Sequence, residues 1–271
     1  IVMVHTAKNP DRAWFDRFFS KQILSATAYA IETTRLGIKL DQNESPFDWP
    51  ESLKKRVAEL CLRCQWNRYT EPYPITLQRL VANFAQVNIE SLLLCPGSNY
   101  HISLLLSLFS RSLRGKMIIA RPSFPLYEAH CRYESIPYQT WDLDEKFEYN
   151  LDLLPDISSQ SVLIFASPNN PVGNVLSKDR LEYLLKHNPD SYFIADEAYY
   201  DFAQESYIEL VERYSNLIIL RTFSKSFGAA AVRLGYTIAS PFLIQELRKL
   251  TLPFLLNQFT IIAMSEVLRN S

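Results

Sequence analysis

Short aliphatic or β-branched runs alternate with helical patterns through the middle of this chain, and that alternation restricts its fold more than any other feature. The runs cover residues 91–95, 116–120, 162–166, 192–195, 217–221 and 235–239. Apolar residues at helical spacing fall over 100–111, 125–133, 178–186 and 207–214. Strands that are apolar along their whole length are buried on both faces, and helices between them supply the cover. The expected fold is therefore α/β, a mainly parallel sheet sandwiched by helices. Ligands of such sheets sit beyond the carboxyl ends of the strands. The polar residues following each run are thus the first candidates for function.

Residues 1–39 read as an N-terminal arm, with an amphipathic stretch around 14–23. Residues 40–50, LDQNESPFDWP, read as a loop, and a helix is expected from about 51 to 64. The 271 residues carry a formal net charge of −1, so no bulk attraction to nucleic acid or an anionic membrane is expected. The longest apolar stretch, near 102–109, is broken by Ser103 and Ser107 and is too short to span a bilayer. Residues 1–19 lack a charged-then-apolar pattern, so no secretion signal is read.

Of four cysteines, Cys61 and Cys64 form a CxxC, but the second close pair of a structural zinc site is missing. Their helical context makes them two cysteines on one helix face. Free cysteines without a disulfide framework fit a reducing cytoplasm. His5, His101, His130 and His187 are scattered and set up no metal site. Of only six glycines, Gly97, Gly173, Gly228 and Gly235 fall in or beside the segments that follow.

Residues 221–236, RTFSKSFGAAAVRLGY, continue from an aliphatic run. Lys225 has the hydroxyls of Thr222 and Ser224 at −3 and −1, Gly228 at +3 and Arg233 at +8. An ordinary surface lysine needs none of these neighbours. An amine that captures an aldehyde, beside hydroxyls and a guanidinium that grip a phosphate through paired bonds, uses them all. The stretch matches [ST]-x-[ST]-K-x-x-G-x-x-x-x-R-x-G and resembles the lysine signature of the class I and II aminotransferases. These are pyridoxal-5′-phosphate (PLP) enzymes of fold type I. Its tighter form, RT-x-SK-x-F, resembles the histidinol-phosphate aminotransferase branch.

The resemblance extends over roughly residues 36–260 and implies a role for each matching segment. In SPNNPVGNVL (167–176), Asn170 would bond the cofactor's 3′-oxygen, though a proline-rich turn alone accounts for the residues. In IADEAYYDF (194–202), Asp196 would hold the pyridine nitrogen protonated, Ala198 would lie against the ring, and Tyr199 would donate to the 3′-oxygen. In PGSNYHISLLL (96–106), Ser98 and Asn99 open a helix whose free N–H groups would hold the phosphate. In RPSFPLYEAH (121–130), Phe124 would stack on the ring, with a core phenylalanine as the plain alternative. In NRYTEP (67–72), Tyr69 would reach the phosphate in a neighbouring subunit. LDQNESP, with Ser45, resembles a loop near the substrate, and LPFLLNQF (252–259) resembles a Pro-aromatic-x-x-Asn segment.

The resemblance implies amine transfer between a donor such as histidinol phosphate and a 2-oxo acid, 2-oxoglutarate being the usual one, in a homodimer with a shared site. Lys225, Asp196 and Tyr199 would be its catalytic residues. It divides the chain into an arm with part of a small domain (1–39), a PLP-binding large domain (40–255) and the start of a C-terminal small domain (256–271). Family members continue beyond the segment matching 257–268 and carry a substrate-gripping arginine there. The expectation is hence a PLP-competent chain with weak or absent turnover, or a piece of a longer gene product. A decarboxylase similar to threonine-phosphate decarboxylase, an aromatic amino-acid aminotransferase and a non-catalytic PLP-binding module are the alternatives. No DNA-binding motif or basic extension supports a regulator.

Overall fold

The computed structural model describes residues 17–19, 21–25, 38–203 and 205–270. Most of the N-terminal arm lies outside them; of its amphipathic stretch, residues 17–19 and 21–23 are described. A seven-stranded sheet runs through the chain in the order β1-β7-β6-β5-β4-β2-β3. The strands are β1 (Leu92–Cys95), β2 (Met117–Arg121), β3 (Tyr138–Asp142), β4 (Val162–Ala166), β5 (Tyr192–Asp196), β6 (Leu217–Thr222) and β7 (Gly235–Ile238). β7 runs antiparallel to β1 and β6, and every other pair is parallel.

Every expected strand is present, and β3 is an addition. Its sequence, Tyr-Gln-Thr-Trp-Asp, is no aliphatic run, because it pairs only with β2 at the sheet edge, where just Trp141 is fully buried. Helices of eight residues or more are α1 (Glu51–Leu62), α2 (Ile75–Ala85), α3 (Ser98–Ser112), α4 (Leu126–Tyr133), α5 (Lys178–His187), α6 (Pro241–Leu250) and α7 (Gln258–Arg269). The helix expected over 207–214 shrinks to Ile208–Val211. Cys64 lies just beyond the end of α1 rather than within it, its backbone N–H turning back to Cys61 O at 3.1 Å.

Alternation along each strand builds two cores. On β4, Leu163 and Phe165 join one cluster, while Val162 and Ile164 join the other. The first cluster is covered by Val57 of α1, Leu77 and Val81 of α2, Leu181 of α5, and Ala263 and Met264 of α7. The second is covered by Ile102, Leu105, Leu106 and Phe109 of α3, Tyr127 and Cys131 of α4, and Leu243, Ile244 and Leu247 of α6. The i, i+3, i+4, i+7 spacing on α3 places those four side chains on one stripe. Each such burial contributes about 1.5–3 kcal/mol. Residues 256–271, read from sequence as the start of a separate unit, send their helix into the same core as α1 and α2. No described helix is long and apolar enough to cross a membrane.

Candidate active site

Parallel strands bring their carboxyl ends to one edge of the sheet, where β5 ends in Asp196 and β6 in Thr222. The antiparallel β7 begins at this same edge, because Gly235 pairs with Cys95 on one side and Thr222 on the other. Arg233, two residues before β7, is thereby delivered beside the start of α3. It adopts the left-handed conformation (φ 62°), uncommon for a residue with a side chain. Its guanidinium donates to Ser224 Oγ at 3.3 Å and Ala230 O at 3.0 Å. Thr222 Oγ1 bonds Ser224 Oγ at 3.0 Å.

Two glycines allow this approach. Gly97, at φ +80°, caps α3, and a Cβ there would stand 2.3 Å from an Arg233 guanidinium nitrogen. A Cβ at Gly235 would stand 2.6 Å from the Ser98 nitrogen. The result is a cradle of donors: the start of a 15-residue helix at Ser98, the hydroxyls of Thr222 and Ser224, and the Arg233 cation. Helix N-termini and guanidinium forks favour anions. Asn99 also opens this helix, but its side chain is exposed.

Asp196 is 4% exposed. Burial pushes its carboxyl up to about 6, against hydrogen bonds from Tyr127 and the Ala198 N–H that favour the anion. Tyr127 Oη donates to Oδ2 at 2.7 Å, and Ala198 N to Oδ1 at 3.1 Å. Tyr127 was not singled out from the sequence. Its signal was its place three residues after Phe124, which stands edge-on to it with ring centroids 5.7 Å apart.

Lys225 is half-buried, and its Nζ donates to Gln42 O at 2.7 Å and stands 5.6 Å from the Tyr199 ring centroid. Burial lowers its pKa; Glu44 and Asp196 oppose that shift, while Arg233 and Lys39 add to it. Tyr199 accepts a hydrogen bond from Asn43 Nδ2 at 2.9 Å. The 40–50 loop therefore folds over the lysine, and Gln42 and Asn43 join residues the sequence reading had named.

The two asparagines after β4 separate sharply. Asn169 is 2% exposed, accepts from Ser123 Oγ at 2.8 Å and donates to Pro122 O at 2.9 Å. Asn170, the residue singled out from sequence, is half-buried, and its side chain bonds no other described residue. Tyr69 is 85% exposed and stacks on Phe254 at 4.6 Å, without a ring contact or hydrogen bond to the residues around Lys225. His101 is buried against Thr237 at 2.5 Å, with burial lowering its pKa to about 3, so it is neutral. Among the described residues no cluster of His, Cys, Asp or Glu could hold a metal ion.

These residues fit pyridoxal phosphate on their own chemistry. Phosphate, pyridine nitrogen and aldehyde call for a donor cradle, a carboxylate and an amine, and all three converge here. At Gly235 the cradle leaves no room for a side chain, because a Cβ there would meet the backbone of Gly97, Ser98 and Arg221 within 3 Å.

A family model described as aminotransferase class I and II matches residues 36–271. A histidinol-phosphate aminotransferase from Hydrogenobaculum sp. is 35% identical over 238 residues, spanning 87% of this chain and 67% of that protein. Among solved structures, the L-threonine-O-3-phosphate decarboxylase from Porphyromonas gingivalis has a TM-score of 0.69 at 25% identity, over 81% of this chain and 65% of that one. The histidinol-phosphate aminotransferase from Sinorhizobium meliloti, solved in complex with pyridoxal-5′-phosphate, shares the fold with a TM-score of 0.73 at 21% identity, over 84% of this chain and 63% of that one. The chain thus spans about two thirds of the length of the relatives it matches. With the family match running from residue 36 to residue 271, through every segment of the cradle, this chain belongs to the class I and II aminotransferases.

Proposed function

We propose that the site binds pyridoxal phosphate on Lys225 and transfers an amine from a donor such as histidinol phosphate to a 2-oxo acid, 2-oxoglutarate being the first to test. The observation carrying this reading is the convergence of the Lys225 amine, the buried Asp196 and the donor cradle of Ser98, Ser224 and Arg233 at one sheet edge. When bound, the cofactor supplies an aldehyde for amines and a ring that accepts electron density from the carbon being deprotonated.

The chain's own residues then have distinct tasks. Arg233, Ser224, Thr222 and Ser98 bind the phosphate. Asp196 holds a proton on the ring nitrogen, its own charge secured by Tyr127 and the Ala198 N–H. Lys225 Nζ, with its pKa lowered by burial, moves the proton to and from the substrate carbon. In this reading Tyr199 and Asn170 would bond the 3′-oxygen, and Phe124 and Ala198 would lie against the ring. Asn99 has the weakest claim of the cradle residues, being exposed. A homodimer belongs to this reading, with Tyr69 reaching the partner's phosphate. Its support is the exposure of the large apolar side chains Trp66, Tyr69 and Leu252, 76%, 85% and 68% exposed. We assign residues 40–255 to the cofactor domain and place the protein in the cytoplasm.

Borohydride reduction followed by peptide mapping tests the core of the reading. The adduct is expected on Lys225, and an adduct on another lysine rejects the assignment. Likeness to the threonine-phosphate decarboxylase raises decarboxylation as a second reading. Carbon dioxide release from threonine phosphate, without 2-oxoglutarate-dependent amine transfer from histidinol phosphate, would select it.

A further inference from the structure

Asp196 ends β5, Lys225 stands three residues beyond the end of the neighbouring β6, and one buried ion pair ties those two strand ends together. Glu197, the residue after Asp196, is 0% exposed. Its carboxylate accepts from Arg221 Nε at 2.8 Å, Ser206 Oγ at 3.0 Å and the Tyr207 N–H at 2.6 Å. Its backbone N–H donates to Leu220 O at 2.8 Å. Arg221, 3% exposed, also donates to Ser206 Oγ at 2.5 Å and lies over the Tyr200 ring, 3.7 Å from its centroid.

Alternation along the strands puts this pair on the sheet face opposite Asp196 and Thr222. Neither residue therefore faces the donor cradle. A buried ion pair is on average no more stabilising than well-packed apolar residues of similar volume. Its placement gives it another use. Asp196 and Leu220 are the last β5–β6 partners, and the pair extends the connection one residue further. It links the residue after Asp196 to the residue before Thr222, four positions ahead of Lys225.

We propose that Glu197 and Arg221 are positioning residues that hold the Asp196 carboxylate and the Lys225 amine at a set separation, so that one cofactor meets both. The proposal rests on the pyridoxal-phosphate reading, and its test reads cofactor geometry rather than turnover. Pyridoxal phosphate is titrated into the cofactor-free chain, the visible circular dichroism of the bound cofactor is recorded, and melting temperatures are measured alongside. The double variant Glu197→Gln/Arg221→Met removes both charges, leaving no unpaired buried ion. It is expected to melt close to the unmodified chain, to bind the cofactor at least about tenfold more weakly and to show a weakened dichroic band. Arg221→Lys keeps the charge without the planar fork and is expected to change affinity and band in the same direction by less. If the double variant fails to fold, Arg221→Lys decides. An affinity and band equal to the unmodified chain's in the folded variants, even with a lower melting temperature, assigns the pair to stability alone and overturns the proposal. Failure of the unmodified chain itself to take up pyridoxal phosphate overturns the functional reading and the proposal together.

Discussion

Tyr127 donates its hydroxyl to Asp196 Oδ2 at 2.7 Å, while the Ala198 N–H occupies Oδ1 at 3.1 Å. A carboxylate at the centre of the sheet edge is thus held by a donor at each oxygen. Burial still prevails, and the carboxyl titrates at about 6 rather than near 4.

That balance has a pH signature in the cofactor-free chain. The folded pKa lies above the unfolded value, so the folded state holds its proton more tightly. The resulting stability is fully present below about pH 4 and is lost as pH rises through about 6. Asp196→Asn, which mimics the protonated form, is expected to gain stability over wild type as pH rises from 4 to 7, by about 3 kcal/mol at most. Denaturation midpoints of the two proteins, compared across that range, check this. A difference that stays flat would reject the buried, high-pKa carboxyl.

With cofactor present the same residue acts in the opposite sense. Asp196→Ala is expected to retain measurable pyridoxal phosphate, because the phosphate cradle remains, and to lose amine transfer by about a hundredfold or more. Absorbance of bound cofactor and single-turnover rates separate the two effects. Full activity in this variant would remove Asp196 from its assigned role.

Asn169 and Asn170 are expected to fail in different assays. Asn169→Ala removes the two hydrogen bonds that the buried Asn169 amide makes to the half-buried Ser123 and Pro122, and is expected to lower stability by about 1–3 kcal/mol. Asn170→Ala is expected to melt like wild type and to bind pyridoxal phosphate less well. Thermal melts and cofactor titrations on both variants decide, and the reverse pattern would transfer the cofactor role to Asn169.

The cradle depends on geometry as well as charge. Arg233→Lys keeps the cation but loses the fork, and an affinity loss of about tenfold is expected. Gly97→Ala places a methyl carbon where the guanidinium now lies and forces a side chain into φ +80°. It is expected to cost about 1–2 kcal/mol of stability and to weaken cofactor binding further. Cofactor binding by Gly97→Ala equal to wild type would show that Arg233 does not have to stand where it does.

What the sequence determined follows local rules. Continuous aliphatic runs at strand length predict buried strands in a mainly parallel sheet, and the runs at 91–95 through 235–239 all appear as strands, with β7 alone reversed. The spacing around Lys225, from Thr222 to Arg233, was enough to mark the hydroxyls and the guanidinium that the fold brings together beside the lysine. The edge strand β3 escaped because a strand covered on one side does not need an apolar sequence.

What only the tertiary structure decided is which side chains meet across distant segments. Asn169 and Asn170 read alike as neighbours in a turn, and only packing buries one against Ser123 and leaves the other half-open. Tyr127 lies 69 positions from Asp196, and Gln42 lies 183 from Lys225. Glu197 and Arg221 are joined because parallel strands β5 and β6 end in register. Strand and helix periodicities describe the surroundings of one segment. A hydrogen bond between segments depends on the register of the sheet and on which face each residue takes, and both are settled only when the whole core closes.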